Sequence, residues 1–142
     1  MSDDELLAFA AALPGVHVMT ADEESGAPES AWGDSFIYVG APEGMPFATI
    51  VVSDYEGFDT ASDLDRPGVF RLNVSLGRER FEAELGYAPS AVPDGLDYTA
   101  LDVLLPHPVY ATQSWASIVN PGEQTDALAR ELITFAATRA GR

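Results

Sequence analysis

The chain has 142 residues, of which 46% are apolar, and its 23 acidic and 7 basic side chains give a formal charge of -16. All the basic residues are arginine, and cysteine is absent. These absences exclude a Walker-type lysine for a nucleotide phosphate, an amine for a Schiff base, and a thiolate for nucleophilic catalysis or a zinc site. The apolar fraction is typical of a folded domain rather than of a disordered acidic segment.

The first predicted elements are a helix and a strand. Ser2 and Glu5 have the spacing of a capping box, and apolar residues recur at helical intervals as far as Leu13. A Pro-Gly pair then ends the helix, and a run rich in β-branched residues predicts a strand over residues 16–20. Segments rich in glycine, proline and aspartate separate three further predicted strands, at residues 32–39, 47–53 and 69–74.

The second half of the chain is predicted to hold fewer regular elements. After the fourth strand, Ser75 is placed to cap a short helix that ends at Gly86. Residues 87–114 contain four prolines and are predicted to be mostly irregular, with one short element around residues 98–105. A loop of this length is typical of a functional lid or a packed cover. A strand over residues 115–120 and a helix precede the C-terminus, and the helix has an apolar stripe of Leu128, Leu132, Ile133, Phe135 and Ala136.

This element order predicts the fold class. Consecutive strands joined by short turns favour an antiparallel sheet, and the helices are then free to gather on one of its faces. We therefore predict a single α+β domain over residues 1–142, built on one mainly antiparallel sheet of about five strands with helices packed on one face. One helix is expected at each terminus. No internal repeat or linker divides the chain.

The acidic charge is concentrated in the first half of the chain. Residues 1–65 hold 14 acidic and no basic side chains, whereas residues 66–142 hold 9 acidic side chains and all 7 arginines. Nucleic acids and anionic lipids are bound through lysine and arginine, so we predict no nucleic-acid partner and no membrane association. No apolar run approaches the ~18 residues of a membrane span, and Ser2 to Glu5 does not resemble a signal segment, so we expect a cytoplasmic protein.

Several short motifs follow one another along nearly the whole chain. In order they include Leu-Pro-Gly-Val, Trp-Gly-Asp-Ser-Phe, Asp-Arg-Pro-Gly-Val-Phe-Arg-Leu-Asn-Val at residues 65–74, and His-Pro-Val-Tyr. Together they resemble a bacterial family of small domains of unknown function. The leading helix and the tryptophan strand before the last helix are more distantly similar to the MmcQ/YjbR-like domains, small α+β folds discussed as nucleic-acid binders. That family commonly has a lysine in its central strands, and this chain has none.

Alternation along the strands predicts a ligand-binding face. Side chains two residues apart share a face of a sheet, so Trp32, Asp34, Phe36 and Tyr38 are expected together, and Arg71 is expected beside Asn73. Such a mixture of aromatic and hydrogen-bonding groups is typical of a small-molecule pocket or a partner surface. The alternative is an Asp34–Arg71 ion pair, with the aromatic residues buried beneath the proline-rich segment. The full set of predicted ligand-binding residues is Trp32, Asp34, Tyr38, Arg71, Asn73, His107, Tyr110 and Trp115.

His107 is the candidate for a catalytic residue. It lies between two prolines that keep the backbone extended, and an imidazole is the usual general acid or base near neutral pH. A histidine bonded only to its own loop is the alternative. The acidic residues between Asp54 and Asp65 lack the spacing of a calcium loop, and the two histidines show no zinc-binding pattern, so no metal and no cofactor are predicted.

Three functional hypotheses follow from these features. The leading one is a non-enzymatic domain that binds a small molecule or a protein partner. The second is a small enzyme in which His107 acts as general acid or base in a pocket with Asp34 and Tyr110. The third is an acidic mimic that binds a basic protein through its carboxylates. Homodimerisation through the aromatic face is a further hypothesis.

Overall fold

Three helices and six strands make up the fold in the computed structural model, which describes residues 2–40 and 44–141. The helices are α1 (Asp3–Ala11), α2 (Gly77–Leu85) and α3 (Asp126–Ala140). The strands are β1 (Val16–Thr20), β2 (Ser35–Val39), β3 (Ala48–Val51), β4 (Arg71–Ser75), β5 (Leu104–Pro106) and β6 (Trp115–Val119).

The strands form one sheet in the order β1-β2-β3-β4-β6-β5, and every neighbouring pair is antiparallel. The predicted α+β class is confirmed, with helices at both ends of the chain. The sheet has six strands rather than about five because β5 forms within the segment predicted to be mostly irregular. At the edge of the sheet, β5 pairs only with β6, a position that tolerates its proline.

The hydrophobic core lies between one face of the sheet and the helices. Register aligns Ile50 of β3 with Leu72 of β4 and Ile118 of β6, so one row of buried side chains crosses three strands. Burial of this apolar surface is the main force that holds the helices on the sheet. The helices contribute Leu6 and Ala10 from α1, Phe81 from α2, and Ala129, Leu132, Ile133 and Ala136 from α3. Of the predicted α3 stripe, Leu128 and Phe135 are only partly buried.

The helix ends follow the predictions in part. Oγ of Ser2 accepts the N–H of Glu5 at 3.2 Å, as the capping spacing indicates, and Gly86 ends α2 in a left-handed conformation. The predicted cap at Ser75 is wrong. That residue is paired with Trp115 as the last residue of β4, so Leu76 is the N-cap of α2 and makes no side-chain capping bond.

Strand β2 begins three residues later than predicted. Gly33 has φ +92°, which breaks the extended backbone, and a Cβ atom there would lie 2.8 Å from Cγ2 of Val52. Trp32 therefore follows a short 3-10 turn and is 39% exposed. Its indole N–H donates to the carbonyl of Ala27 at 3.0 Å. The expectation that Trp32 continues the alternating face of β2 is wrong.

The sheet face opposite the helices is covered by two loops. We call residues 53–65 the first cover loop and residues 107–114 the second. The first is held by Asp54, whose carboxylate accepts the N–H of Leu64 at 2.8 Å. Arg66 donates to the carbonyls of Ser62 and Thr99, at 2.9 and 3.2 Å. These bonds hold the first cover loop in shape and link it to Thr99.

Candidate functional site

A pocket of about 310 Å³ lies between the sheet and the two cover loops. The sheet supplies its floor because register brings one polar side chain from each of three strands into a row. Asn73 of β4 is opposite both Thr49 of β3 and Ser117 of β6, and Phe36 of β2 lies beside Thr49 at the end of this row. The apolar walls are formed by Phe36, Met45, Pro46, Val51, Phe58 and Trp115.

Arg71 is the charged centre of the pocket floor. It is 1% exposed, and its guanidinium forms two bonds to the carboxylate of Asp59 in the first cover loop, at 3.1 and 2.5 Å. It also donates to Oγ of Ser62 at 3.0 Å and to Oδ1 of Asn73 at 2.7 Å. A buried guanidinium needs this degree of pairing, because an unpaired charge out of water is costly.

Asn73 extends the polar network across the sheet. Its amide nitrogen donates to Oγ1 of Thr49 at 2.9 Å, and its Oδ1 accepts the hydroxyl of Ser117 at 2.8 Å as well as Nε–H of Arg71. Side chains of β3, β4 and β6 are thereby joined by hydrogen bonds beneath the pocket. The floor is therefore a rigid polar surface.

His107 begins the second cover loop and reaches the same floor. Its Nδ1 accepts the backbone N–H groups of Val109 and Tyr110, both at 3.0 Å. A ring nitrogen that accepts these bonds cannot carry the proton, so we infer that the neutral ring holds it on Nε2. Burial, together with the nearby charge of Arg71, lowers the pKa of His107 far below its usual value of 6.5, although the carboxylate of Asp59 opposes the shift.

Asp34 lies behind the pocket wall. Its carboxylate accepts the N–H of Val52 at 2.9 Å and the hydroxyl of Tyr55, which itself lines the pocket. Burial raises the pKa of Asp34 above its ordinary value despite these hydrogen bonds. Burial and the bond to Asp34 also raise the pKa of Tyr55, so its phenol stays protonated and serves as the donor.

The mouth of the pocket exposes apolar side chains to solvent. Met45 is 82% exposed, Phe58 55% and Tyr110 38%. The rings of Phe58 and Tyr110 lie 6.0 Å apart and connect the two cover loops at the rim. Gln113 of the second cover loop also lines the pocket.

Some of the predicted ligand-binding residues line the pocket, one is linked to it through another side chain, and two lie outside it. Asp34 contacts the pocket only through Tyr55, and Trp32 and Tyr38 do not line it. The alternative ion pair between Asp34 and Arg71 is not formed, because the guanidinium of Arg71 is paired with the carboxylate of Asp59. The predicted residues that line one pocket are Arg71, Asn73, His107, Tyr110 and Trp115.

Sequence reasoning missed the residues that the first cover loop supplies. Asp59 and Ser62 bond to Arg71, and Tyr55 bonds to Asp34 and lines the pocket, yet the sequence of the loop is that of a solvated acidic segment. The one available signal is the aromatic residues Tyr55 and Phe58 among the acidic ones, since aromatic side chains are uncommon in a fully solvated loop. Within residues 2–40 and 44–141, no group of three histidine or acidic side chains is arranged to hold a metal ion. No helix in these ranges is long and apolar enough to cross a membrane.

Comparison with known proteins gives a family but no activity. The family model described as "Family of unknown function (DUF6194)" matches residues 1–142. No curated protein and no solved structure matches the chain.

Proposed function

The chain belongs to the DUF6194 family, whose function is unknown, so its role has to be argued from the pocket, and we propose that it binds a small organic molecule there. The observation that carries this proposal is a pocket with apolar walls above a floor of buried, mutually bonded polar side chains. Small-molecule sites combine apolar lining with a few fixed polar groups in this way. The pocket volume is near the lower end of the range of about 300–1,000 Å³ for such sites, which favours a compact ligand.

The exposed rim also supports a ligand. Apolar side chains at the mouth of a cavity remain in contact with water unless a bound molecule covers them, and burial of Phe58, Met45 and Tyr110 would add to the binding free energy. A small molecule fits the enclosed part of the pocket between the sheet and the cover loops. A protein partner that inserts one side chain is the competing occupant.

The arrangement favours binding over general base catalysis. His107 has no free lone pair toward the pocket, because Nδ1 is used by two backbone N–H groups and Nε2 carries the proton. Its role toward a ligand is therefore that of a hydrogen-bond donor. The enzyme hypothesis stays a prediction, with Tyr110 in the same pocket and Asp34 linked to it through Tyr55.

The pocket provides no support for the remaining hypotheses. Cytoplasmic location, bacterial origin, homodimerisation and the distant likeness to MmcQ/YjbR-like domains stay predictions. An acidic mimic loses some of its carboxylates to internal bonds, since Asp34, Asp54 and Asp59 are used within the fold. We therefore rank the mimic below the small-molecule proposal.

The proposal is tested by replacing two exposed aromatic residues, one that lines the pocket and one that lies outside it. A panel of small aromatic fragments is titrated into ¹⁵N-labelled protein, and the amide signals of residues around the pocket are expected to shift. Phe58→Ala removes a wall of the pocket and should weaken fragment binding severalfold, whereas Trp32→Ala removes an aromatic side chain outside it and should leave binding unchanged. Fragments that shift no pocket signal, or equal effects of the two substitutions, would contradict the proposal.

A further inference from the structure

Three N–H groups point at the ring nitrogens of His107. Those of Val109 and Tyr110 point at Nδ1, and one from Nη2 of Arg71 points at Nε2 over 3.4 Å. A neutral imidazole has one nitrogen that accepts and one that donates. Because the two backbone groups take the accepting nitrogen, Nε2–H of His107 and an N–H of Arg71 face each other as two donors without an acceptor.

The other N–H groups of Arg71 are already used. Nε donates to Asn73, Nη1 to Asp59 and Ser62, and Nη2 to Asp59. The guanidinium has five N–H groups, so the one directed at His107 is the fifth. An oxygen placed about 2.9 Å from both Nη2 and Nε2 would accept from both donors. Both residues line the pocket, so such an oxygen can come from a bound molecule.

The charge of the floor indicates what kind of oxygen this is. The carboxylate of Asp59, which accepts two bonds from Arg71, already balances the charge of the guanidinium, and the buried carboxylate of Asp34 lies behind Tyr55. His107 is neutral, so the floor offers donors without excess positive charge. The chain as a whole carries -16, which repels an anionic ligand at long range. A neutral carbonyl oxygen satisfies both donors without bringing a further negative charge.

We propose that the pocket selects a neutral carbonyl compound with a compact apolar body, whose oxygen is bound between Nη2 of Arg71 and Nε2 of His107. This inference rests on the proposed function and adds the chemical class of the ligand. The apolar body lies against Phe36, Val51 and Trp115, and the carbonyl points toward the floor.

Three probes of nearly the same shape test the choice of ligand. Acetophenone carries the carbonyl, isopropenylbenzene has a carbon in place of the oxygen, and benzoate carries a negative charge. Their affinities are measured by titration into ¹⁵N-labelled wild-type protein. Two hydrogen bonds to otherwise unsatisfied donors should make acetophenone bind about tenfold more tightly than isopropenylbenzene. Benzoate should bind more weakly than acetophenone.

The substitution His107→Asn separates the donor from the structural role of the ring. An asparagine amide oxygen can replace Nδ1 as acceptor for the N–H groups of Val109 and Tyr110, but the side chain does not reach the position of Nε2. The preference for acetophenone over isopropenylbenzene, measured as the ratio of the two affinities, should fall severalfold. Chemical unfolding checks that the variant is folded. The infrared carbonyl stretch of bound acetophenone provides a readout in wild-type protein, and it should move to lower frequency.

The possible outcomes distinguish this inference from the proposed function. If all three probes bind the pocket equally and the carbonyl stretch does not move, the carbonyl inference is overturned and small-molecule binding stands. If benzoate binds most tightly, the ligand class is anionic and the inference is again overturned. If none of the probes and none of the aromatic fragments binds the folded protein, the proposed function fails as well.

Discussion

Arg71 is a buried charged residue, and its charge is compensated by an ion pair with Asp59. The guanidinium is 1% exposed, whereas the side chain of Asp59 is 12% exposed and retains some contact with water. Buried ion pairs contribute little net stability, but removing one partner leaves the other charge without compensation. The two partners should therefore differ in how costly they are to remove.

We expect Asp59→Ala to lower the free energy of unfolding by about 3–5 kcal/mol, because it leaves Arg71 buried and unpaired. Arg71→Met should cost less, since the carboxylate left behind can reach water, and the double variant Asp59→Leu/Arg71→Met should cost less than Asp59→Ala. Urea unfolding followed by tryptophan fluorescence measures these differences. The control is Arg78→Ala, which breaks an exposed pair with Glu82 and should cost no more than about 0.5 kcal/mol. A similar cost for Asp59→Ala and the control would contradict the buried pair.

The neutral state of His107 makes stability depend on pH. Its folded pKa lies below the unfolded value of 6.5. Below pH 6.5 the imidazole therefore binds a proton in the unfolded chain but not in the folded chain. The free energy of unfolding is therefore unaffected by this histidine above pH 6.5, and it decreases as the pH falls from 6.5 toward the folded pKa. The loss reaches at most about 1.4 kcal/mol per pH unit for one proton. Comparing wild type with His107→Asn by urea unfolding across this range isolates it, and an identical pH profile for the two proteins is the contrary result.

At the scale of elements, a remote carboxylate holds the turn that leads into the last helix. Thr125 is the N-cap of α3 and makes no side-chain capping bond within it. Instead Asp102, from the loop before β5, accepts the N–H groups of Gly122, Gln124 and Thr125 at 2.8 to 3.0 Å. It also accepts the hydroxyl of Thr125 at 2.6 Å. A negative charge at this helix end is favourable, and the edge strand is thereby tied to α3.

Asp102→Ala is expected to loosen the start of α3. The hydroxyl of Thr125 and the backbone N–H groups lower the pKa of Asp102 to about 2, so its stabilising effect is complete above the ordinary value of 3.8 and is lost as the pH falls through about 2. Hydrogen exchange should become faster for amides 122–126 and remain unchanged in the last turn of α3. Asp97→Ala, which removes only local bonds to Thr99, is the control. Unchanged exchange at residues 122–126 would be the contrary result.

Local signals account for the elements that could be predicted. Strand β1 was predicted over the residues observed because a Pro-Gly pair precedes it and an acidic loop follows it. Strand β5 was not identified as a strand because its three residues include a proline and are held in place by β6, far along the chain. The start of β2 was wrong because Gly33 interrupts an alternation that continues unbroken in the sequence.

The candidate site likewise has features that the sequence predicts and features that only the folded chain determines. Arg71 and Asn73 could be placed on one face because alternation is a property of a single strand. That Asp59 pairs with Arg71 could not be predicted, because the first half of the chain offers 14 acidic residues and only the folded loop selects one of them. His107 was singled out from the prolines beside it, but its donor role depends on the backbone of residues 109 and 110.

At the scale of the whole molecule, the charge of -16 opposes compaction. Added salt screens this repulsion, as the screening length falls from about 30 Å at 0.01 M to about 8 Å at 0.15 M. The melting temperature should therefore rise between these NaCl concentrations. The affinity for acetophenone, a neutral probe, should not change over the same range. Calorimetry measures the first quantity and NMR titration the second, and a lower melting temperature at high salt would show that attractive ion pairs outweigh the repulsion.

The two faces of the sheet are held by different kinds of chemistry. One face is packed against the helices by apolar side chains, and the other meets loops whose bonds are polar and whose rim is open. Rim positions such as Met45, Phe58 and Gln113 can be exchanged without creating a hole among the packed helices. Ligand preference and folding can therefore vary separately, which makes this sheet a natural starting scaffold for libraries of altered binding specificity.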